Sequence, residues 1–144
     1  MAAIKEKKIT VESVIEDIDA AGIAESSEKC RTECDAFFRA DGDNYSITYR
    51  EVSEGGVVDT DITVSRERVT VKRTGAIASV FNFAEGLCER SVYKMPPYEF
   101  DAEITTVKIR NNLTRDGGNL TILYGMNIGG SNRRVRMRVS VPND

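Results

Sequence analysis

A chain of 144 residues, with 40% hydrophobic and 30% charged residues, has the balance of a globular protein, which excludes a disordered or fibrous chain. The net charge of −3 argues against a surface that is basic throughout, although a local basic patch remains compatible with it. The absence of histidine removes the Ser-His-Asp triad, the imidazole base and the histidine metal ligand, so we expect no enzyme, no metal site and no cofactor.

The first eight residues carry charge but are followed by no apolar run, so they lack the pattern of a secretory signal peptide. We expect disorder within residues 1–8 and one β-barrel domain over residues 1–144. No stretch has the length of a membrane span. These features predict a cytoplasmic protein without a membrane partner.

Glycine-rich turns separate short segments that are rich in β-branched and aromatic residues, a spacing that is typical of a barrel or sandwich. The pattern predicts an all-β fold, a single antiparallel barrel of about eight to ten strands. The segments lie near Ile9–Asp19, Cys30–Ala40, Tyr45–Val52, Val58–Ser65, Val69–Arg73, Ile77–Phe83, Cys88–Met95 and Tyr98–Ile109, followed by a final pair.

The final pair shows the clearest alternation, with Gly129-Gly130-Ser131-Asn132 as the turn between its strands. Apolar residues recur at every second position, at Leu120, Ile122, Tyr124, Met126 and Ile128 and then at Val135, Met137, Val139 and Val141. An even number of antiparallel strands lets the first strand pair with the last and remove both edges. Glu12 and Glu16 would then lie beside Arg134, Arg136 and Arg138.

Two segments are ambiguous. Cys30, Cys34, Phe37 and Phe38 fit helical spacing as well as strand alternation, and Ser26-Ser27-Glu28 could start a helix. We expect at most a short helix or helical turn near Ala20–Lys29. In Tyr98–Ile109 the apolar face of Phe100, Ala102 and Ile104 switches to Val107 and Ile109. A β-bulge near Thr105 and Thr106 would account for that switch.

The three cysteines, Cys30, Cys34 and Cys88, are an odd number, which makes a poor disulfide framework. On one strand, Cys30 and Cys34 would stand about 13 Å apart, too far to form a bridge. We therefore expect three free thiols, in keeping with a reducing compartment.

Short motifs in a consistent order resemble one family. They are Ser13-Val14-Ile15-Glu16-Asp17, Tyr49-Arg50-Glu51, Thr60 with Ile62, Val69-Thr70-Val71-Lys72-Arg73 with Gly75, Phe83-Ala84-Glu85-Gly86, Tyr93-Lys94-Met95, and Gly118-Asn119-Leu120-Thr121-Ile122 with Tyr124. From Ile9 onward the chain resembles the YwiB-like bacterial proteins. The resemblance implies a calycin-like, lipocalin-related barrel and a location in the bacterial cytoplasm, and it implies no activity. Asp35 and the pair Pro96-Pro97 depart from the family pattern.

Two charged residues fall on predicted inward faces. Glu51 continues the face of Tyr45, Ile47 and Tyr49, and Arg73 continues the face of Val69 and Val71. A buried charge needs a partner, so we expect Glu51 and Arg73 to lie close together at one mouth of the barrel. The pair could grip the polar head of a ligand, or it could be a structural salt bridge or two charges that extend into solvent.

Five aromatic residues could line a ligand cavity or fill the core: Tyr49, Phe81, Phe83, Tyr93 and Tyr124. Arg133, Arg134, Arg136 and Arg138 form a basic stripe, which we expect to be a solvated face paired with acids rather than a nucleic-acid site. Asp59 and Asp61 could act as an acid–base pair, although no feature of the sequence predicts that they lie in a cleft.

These observations predict a protein that binds a small, partly apolar ligand inside the barrel. The alternative is a structural or interaction protein with a filled barrel, which acts through its surface or as a homodimer.

Overall fold

The computed structural model describes residues 3–144, and all regular structure in that range is β-strand, with no helix. The ten strands are β1 (Ala3–Ile18), β2 (Ala24–Asp41), β3 (Asn44–Ser53), β4 (Gly56–Val64), β5 (Val69–Gly75), β6 (Ser79–Phe83), β7 (Cys88–Met95), β8 (Tyr98–Thr114), β9 (Gly117–Ile128) and β10 (Ser131–Val141). Because the described part of the chain has no helix at all, it has none that is long and apolar enough to cross a bilayer.

The strands form one antiparallel sheet in the order β6-β5-β4-β3-β2-β1-β10-β9-β8-β7, which curls into a nearly closed barrel. The predicted pairing of the first and last strands is confirmed, with Glu12 opposite Arg138 and Glu16 opposite Arg134. The seam lies between β6 and β7. There Ala78 and Lys94 exchange two backbone hydrogen bonds of 2.8 Å, which bring the two edge strands together.

The hairpin of β1 and β2 is longer than the sequence pattern predicts. β1 begins at Ala3 rather than Ile9, so residues 3–8, where we expected disorder, belong to a strand, and residues 1–2 lie outside the described part. No helix forms near Ala20–Lys29, which agrees with the expectation of at most a short helix or helical turn there. Asp19 instead closes a tight turn by accepting hydrogen bonds from the backbone amides of Ala21 and Ile23, and β2 then starts at Ala24.

The expected bulge in β8 is present one step further along. The register with β9 shifts between Thr106 and Lys108, which leaves Val107 as the extra residue. Val107 is 65% exposed, so its predicted place on the inner face is wrong. Thr106 takes that place beside Ala102 and Ile104, because the two-residue alternation continues up to the bulge.

The barrel has two different ends. At the closed end, around Lys7, Val64, Phe83, Leu113 and Val141, inward side chains are fully buried. At the open end, inward residues of most strands are only partly buried. They include Val11, Ser13 and Ile15 of β1, Cys34 of β2, Glu51 of β3, Val58 of β4, Arg73 of β5, Tyr93 of β7, and Met126 and Ile128 of β9. Solvent therefore reaches the inner face from one direction.

Candidate functional site

Four of the five predicted aromatic residues form one cluster on the inner face. Phe81 packs edge-on against Phe83 at a centroid distance of 6.3 Å, and it stacks on Tyr93 at 6.4 Å across the seam. Phe83 packs on Tyr124 at 4.8 Å. Three of the four are almost fully buried, whereas Tyr93 is only half-buried because it lies at the open end. The cluster is thus both core and inner wall.

Tyr49, the fifth predicted aromatic residue, belongs to a different group. The strand register places Tyr49, Thr60, Arg73 and Ser79 in one row across β3, β4, β5 and β6. We call these four residues the polar row. Tyr49, Thr60 and Ser79 are buried, and Arg73 is half-buried. Arg73 therefore projects from the inner face with Thr60 and Ser79 as its cross-strand neighbours.

Two of the three hydroxyls of the polar row, those of Thr60 and Ser79, lack a hydrogen bond within residues 3–144. Within the described residues, Ser79 Oγ and Thr60 Oγ1 are buried without a hydrogen bond of acceptable geometry, although Thr60 lies near the Tyr49 phenol. Thr106 Oγ1 of β8, which lies opposite Tyr124 of β9, is also buried without a hydrogen bond in the described part of the chain. Buried polar groups in proteins nearly always have a partner, so three orphan hydroxyls on one inner surface are unusual.

Glu51 and Arg73 both face inward at the open end, as predicted, but no ion pair within 4.0 Å joins them in the described structure. Glu51 lies opposite Val58, and Arg73 lies opposite Thr60, so their positions are two residues apart along β4. Partial exposure explains why direct contact is not required, since water still solvates each charge. The structure therefore shows two inward charges at the same end of the barrel, on the two strands that flank β4, without a direct ion pair between them.

Both charges nevertheless act on the same phenol. Burial raises the pKa of Tyr49, the Arg73 guanidinium opposes that rise, and the Glu51 carboxylate adds to it. Burial likewise raises the pKa of Tyr124, against the opposing charge of Arg73. Both phenols consequently stay neutral at physiological pH and can donate hydrogen bonds into the interior.

The rim of the open end is apolar and aromatic. The β7–β8 hairpin carries Tyr93, Met95, Tyr98 and Phe100 on the side that continues the buried face of Ala102. Tyr98 and Phe100 stack at 6.4 Å, yet Tyr98 is 61% exposed. An exposed aromatic wall and an inward-facing arginine at the same end of the barrel can together accept a molecule that has an apolar body and an anionic head.

The deep interior is filled by side chains. Phe81, Phe83 and Tyr124 are at most 7% exposed, and five cavities on residues 3–144 are lined by residues other than these aromatic side chains. A ligand would therefore bind at the open end, above the aromatic cluster, and not inside a preformed hollow.

The basic stripe is divided between two faces. Arg133 shares the inward face of Val135 and lies 3.2 Å from Asp17, so its predicted place beside Arg134, Arg136 and Arg138 is wrong. The other three face outward. Arg134 lies 3.8 Å from Glu16, but Arg136 and Arg138 have no acid within 4.0 Å among the described residues, against the expectation of paired charges.

The acidic side chains and cysteines of residues 3–144 are arranged as follows. No group of three or more cysteine, aspartate or glutamate side chains is placed to hold a metal ion there. Asp59 binds Arg50, with 2.8 Å between Oδ1 and Nε, and this bond lowers the pKa of Asp59. Cys30, Cys34 and Cys88 are free thiols, as predicted.

The sequence analysis did not single out the unpaired hydroxyls of Thr60 and Ser79. Strand alternation already placed both residues on inward faces. Thr60 shares a face with Ile62 and Val64, and Ser79 shares a face with Phe81 and Phe83. A small hydroxyl side chain at a core position is easily interpreted as a packing residue without a functional role. Only the register reveals that both flank Arg73.

Comparisons with known proteins agree with this architecture. Residues 9–137 match the family described as "Domain of unknown function (DUF1934)". The chain is 29% identical over 119 residues to the uncharacterized beta-barrel protein YwiB of Bacillus subtilis (strain 168), which covers 83% of this chain and 80% of that protein. The crystal structure of ywiB protein from Bacillus subtilis superposes with a TM-score of 0.73 at 25% identity, over 98% of this chain and 96% of that one.

Proposed function

This chain belongs to the DUF1934 family of unknown function, and we propose that it binds a small, partly apolar ligand with an anionic head at the open end of its barrel. The proposal rests on one observation above all. Arg73 faces inward between two buried hydroxyls that have no hydrogen-bond partner, Thr60 Oγ1 and Ser79 Oγ. A ligand head that accepts hydrogen bonds would satisfy all three groups together.

The surroundings of the polar row support an amphipathic ligand. The neutral phenols of Tyr49 and Tyr124 add two further donors near the same guanidinium. Tyr98 and Phe100 supply an exposed aromatic wall that could cover an apolar body. Three free thiols suit a reducing compartment, so we further propose that the protein works in the cytoplasm.

Anilinonaphthalene sulfonate tests the proposal, because it joins apolar rings to an anionic sulfonate. We expect saturable fluorescence with the folded protein at one site. Arg73→Gln should weaken binding about tenfold or more, since a charge-assisted hydrogen bond contributes roughly 1.5–3 kcal/mol. Arg73→Lys should keep the fold and bind at intermediate strength, because lysine lacks the planar fork.

Lys72→Gln is the matched control. Lys72 is the neighbour of Arg73 on β5 and faces solvent. Its substitution by glutamine removes the same charge as Arg73→Gln does. Thermal unfolding of each variant separates lost binding from lost structure, because the dye also binds partly unfolded states. Equal weakening by Lys72→Gln and Arg73→Gln, at unchanged stability, would reject the open end as the site.

A further inference from the structure

A second feature, independent of the open end, lies on the outer face of β8, β9 and β10. Lys108 and Arg110 of β8 form one wall, and Arg136 and Arg138 of β10 form the other. The shorter Leu123 and Thr121 of β9 lie between them, because the register places Lys108, Leu123 and Arg136 in one row and Arg110, Thr121 and Arg138 in the next. The result is a depression of about 530 Å³, which we call the basic groove.

The four cations of the basic groove form no direct ion pair among the described residues, although Glu12 of β1 lies opposite Arg138 at its side. No acidic residue lines it, and the only other contributors are Asn112 and Asn119. All four cationic side chains are exposed, and none forms an ion pair within 4.0 Å among residues 3–144. On a chain with a net charge of −3, such a concentration of one sign produces a local positive potential.

The spacing follows from sheet geometry. Strands are about 4.8 Å apart and alternate residues on a strand are about 6.8 Å apart, so the four charges mark a rectangle of roughly 10 by 7 Å. The groove is open to the side. A smaller depression of about 130 Å³ continues it past Arg136 and Arg138 to Glu12 and Val14 of β1. Beyond β1, Lys29 lies opposite Val14 and extends the same surface.

An elongated basic trough suits a long anion better than a compact one. Arginine pairs bidentately with phosphate, and asparagine and threonine side chains can donate to phosphate oxygens. Protein partners usually bind through a central apolar or aromatic anchor, and this groove has only Leu123. The lining also contains no aromatic residue on which bases could stack.

We propose that the basic groove binds a single-stranded nucleic acid through its phosphates, without base specificity. Fluorescence anisotropy with labelled oligouridylate and labelled oligoadenylate tests this proposal. We expect both strands to bind with similar affinity. The logarithm of the association constant should fall with the logarithm of salt concentration at a slope of about −2.8, which corresponds to four phosphates at about −0.7 each.

Variants on each wall of the groove sharpen the test. Arg136→Gln combined with Arg138→Gln should weaken both strands about tenfold or more and halve the salt slope to about −1.4. Lys108→Gln combined with Arg110→Gln should do the same from the other wall. The control, Arg66→Gln combined with Arg68→Gln, removes two exposed charges from the β4–β5 turn and should leave affinity and slope unchanged.

Three results would overturn the proposal. The first is no binding at about 50 mM salt, where phosphate contacts are strongest. The second is equal weakening by the control pair, which would indicate a diffuse charge effect. The third is tighter binding of polyglutamate than of oligouridylate in competition, which would assign the groove to an acidic protein segment.

Discussion

Lys7 Nζ donates a hydrogen bond of 2.9 Å to the carbonyl oxygen of Pro142, across the closed end of the barrel. The same ammonium donates to the carbonyl oxygen of Asp116 at 3.1 Å and forms an ion pair with Asp144. The side chain is only 7% exposed. One lysine thus joins the start of β1 to the β8–β9 turn and to the segment after β10.

Lys7→Met should therefore destabilise the fold while keeping the volume of the stem. It removes charge-assisted bonds from two part-buried carbonyls, so we expect a loss of about 1–3 kcal/mol in the free energy of unfolding. Lys8→Met is the control, because Lys8 is the exposed neighbour and should change stability by less than about 0.5 kcal/mol. Urea titration measures both, and a similar midpoint for the two variants would contradict this role for Lys7.

Gly75, two residues after Arg73, lies where the backbones of β4 and β5 approach closely. Its φ angle is +110°, and a Cβ there would overlap the carbonyl oxygen of Val57. Gly75→Ala should cost more than about 2 kcal/mol, because backbone strain and a backbone clash add.

Gly86→Ala separates those two contributions. Gly86 has a φ angle of +81° but no heavy atom within 4 Å of an added Cβ, so we expect only the conformational cost of about 1–2 kcal/mol. Thermal unfolding of both variants gives the comparison. If Gly86→Ala proved as damaging as Gly75→Ala, close approach of β4 to Gly75 would not be the cause.

The reactivity of Cys34 reports which way Glu51 points. Burial, the Glu51 carboxylate and the Asp35 carboxylate raise the pKa of the Cys34 thiol, in that order of size. A raised pKa means less thiolate at a given pH, so Cys34 should react with iodoacetamide more slowly than the exposed Cys30 and Cys88. Its alkylation should accelerate only at higher pH.

Removing the carboxylate should shift that profile. Glu51→Gln lowers the pKa of Cys34, so its labelling should speed up near pH 8 while that of Cys88 stays constant. Glu54→Gln, in the exposed β3–β4 turn, should have no effect. Rates come from mass spectrometry of peptides after timed alkylation. An unchanged rate at Cys34 in Glu51→Gln would place the carboxylate outside the barrel.

The sequence alone determined which way most side chains point. Strand alternation is a local property, since successive side chains leave the backbone on opposite sides. It therefore predicted the inward faces of β9 and β10, the inward orientation of Glu51 and Arg73, and the bulge that interrupts β8. An even number of antiparallel strands was enough to predict that β1 pairs with β10.

What only the tertiary structure decided is which residues become neighbours. Register is set by the packing of the whole sheet, and a shift between strands exchanges every cross-strand partner. For this reason the position of Arg73 between Thr60 and Ser79, and that of Lys108 and Arg110 facing Arg136 and Arg138, could not be derived from any one segment. Burial of Lys7 has the same origin, because its three partners lie more than a hundred residues away.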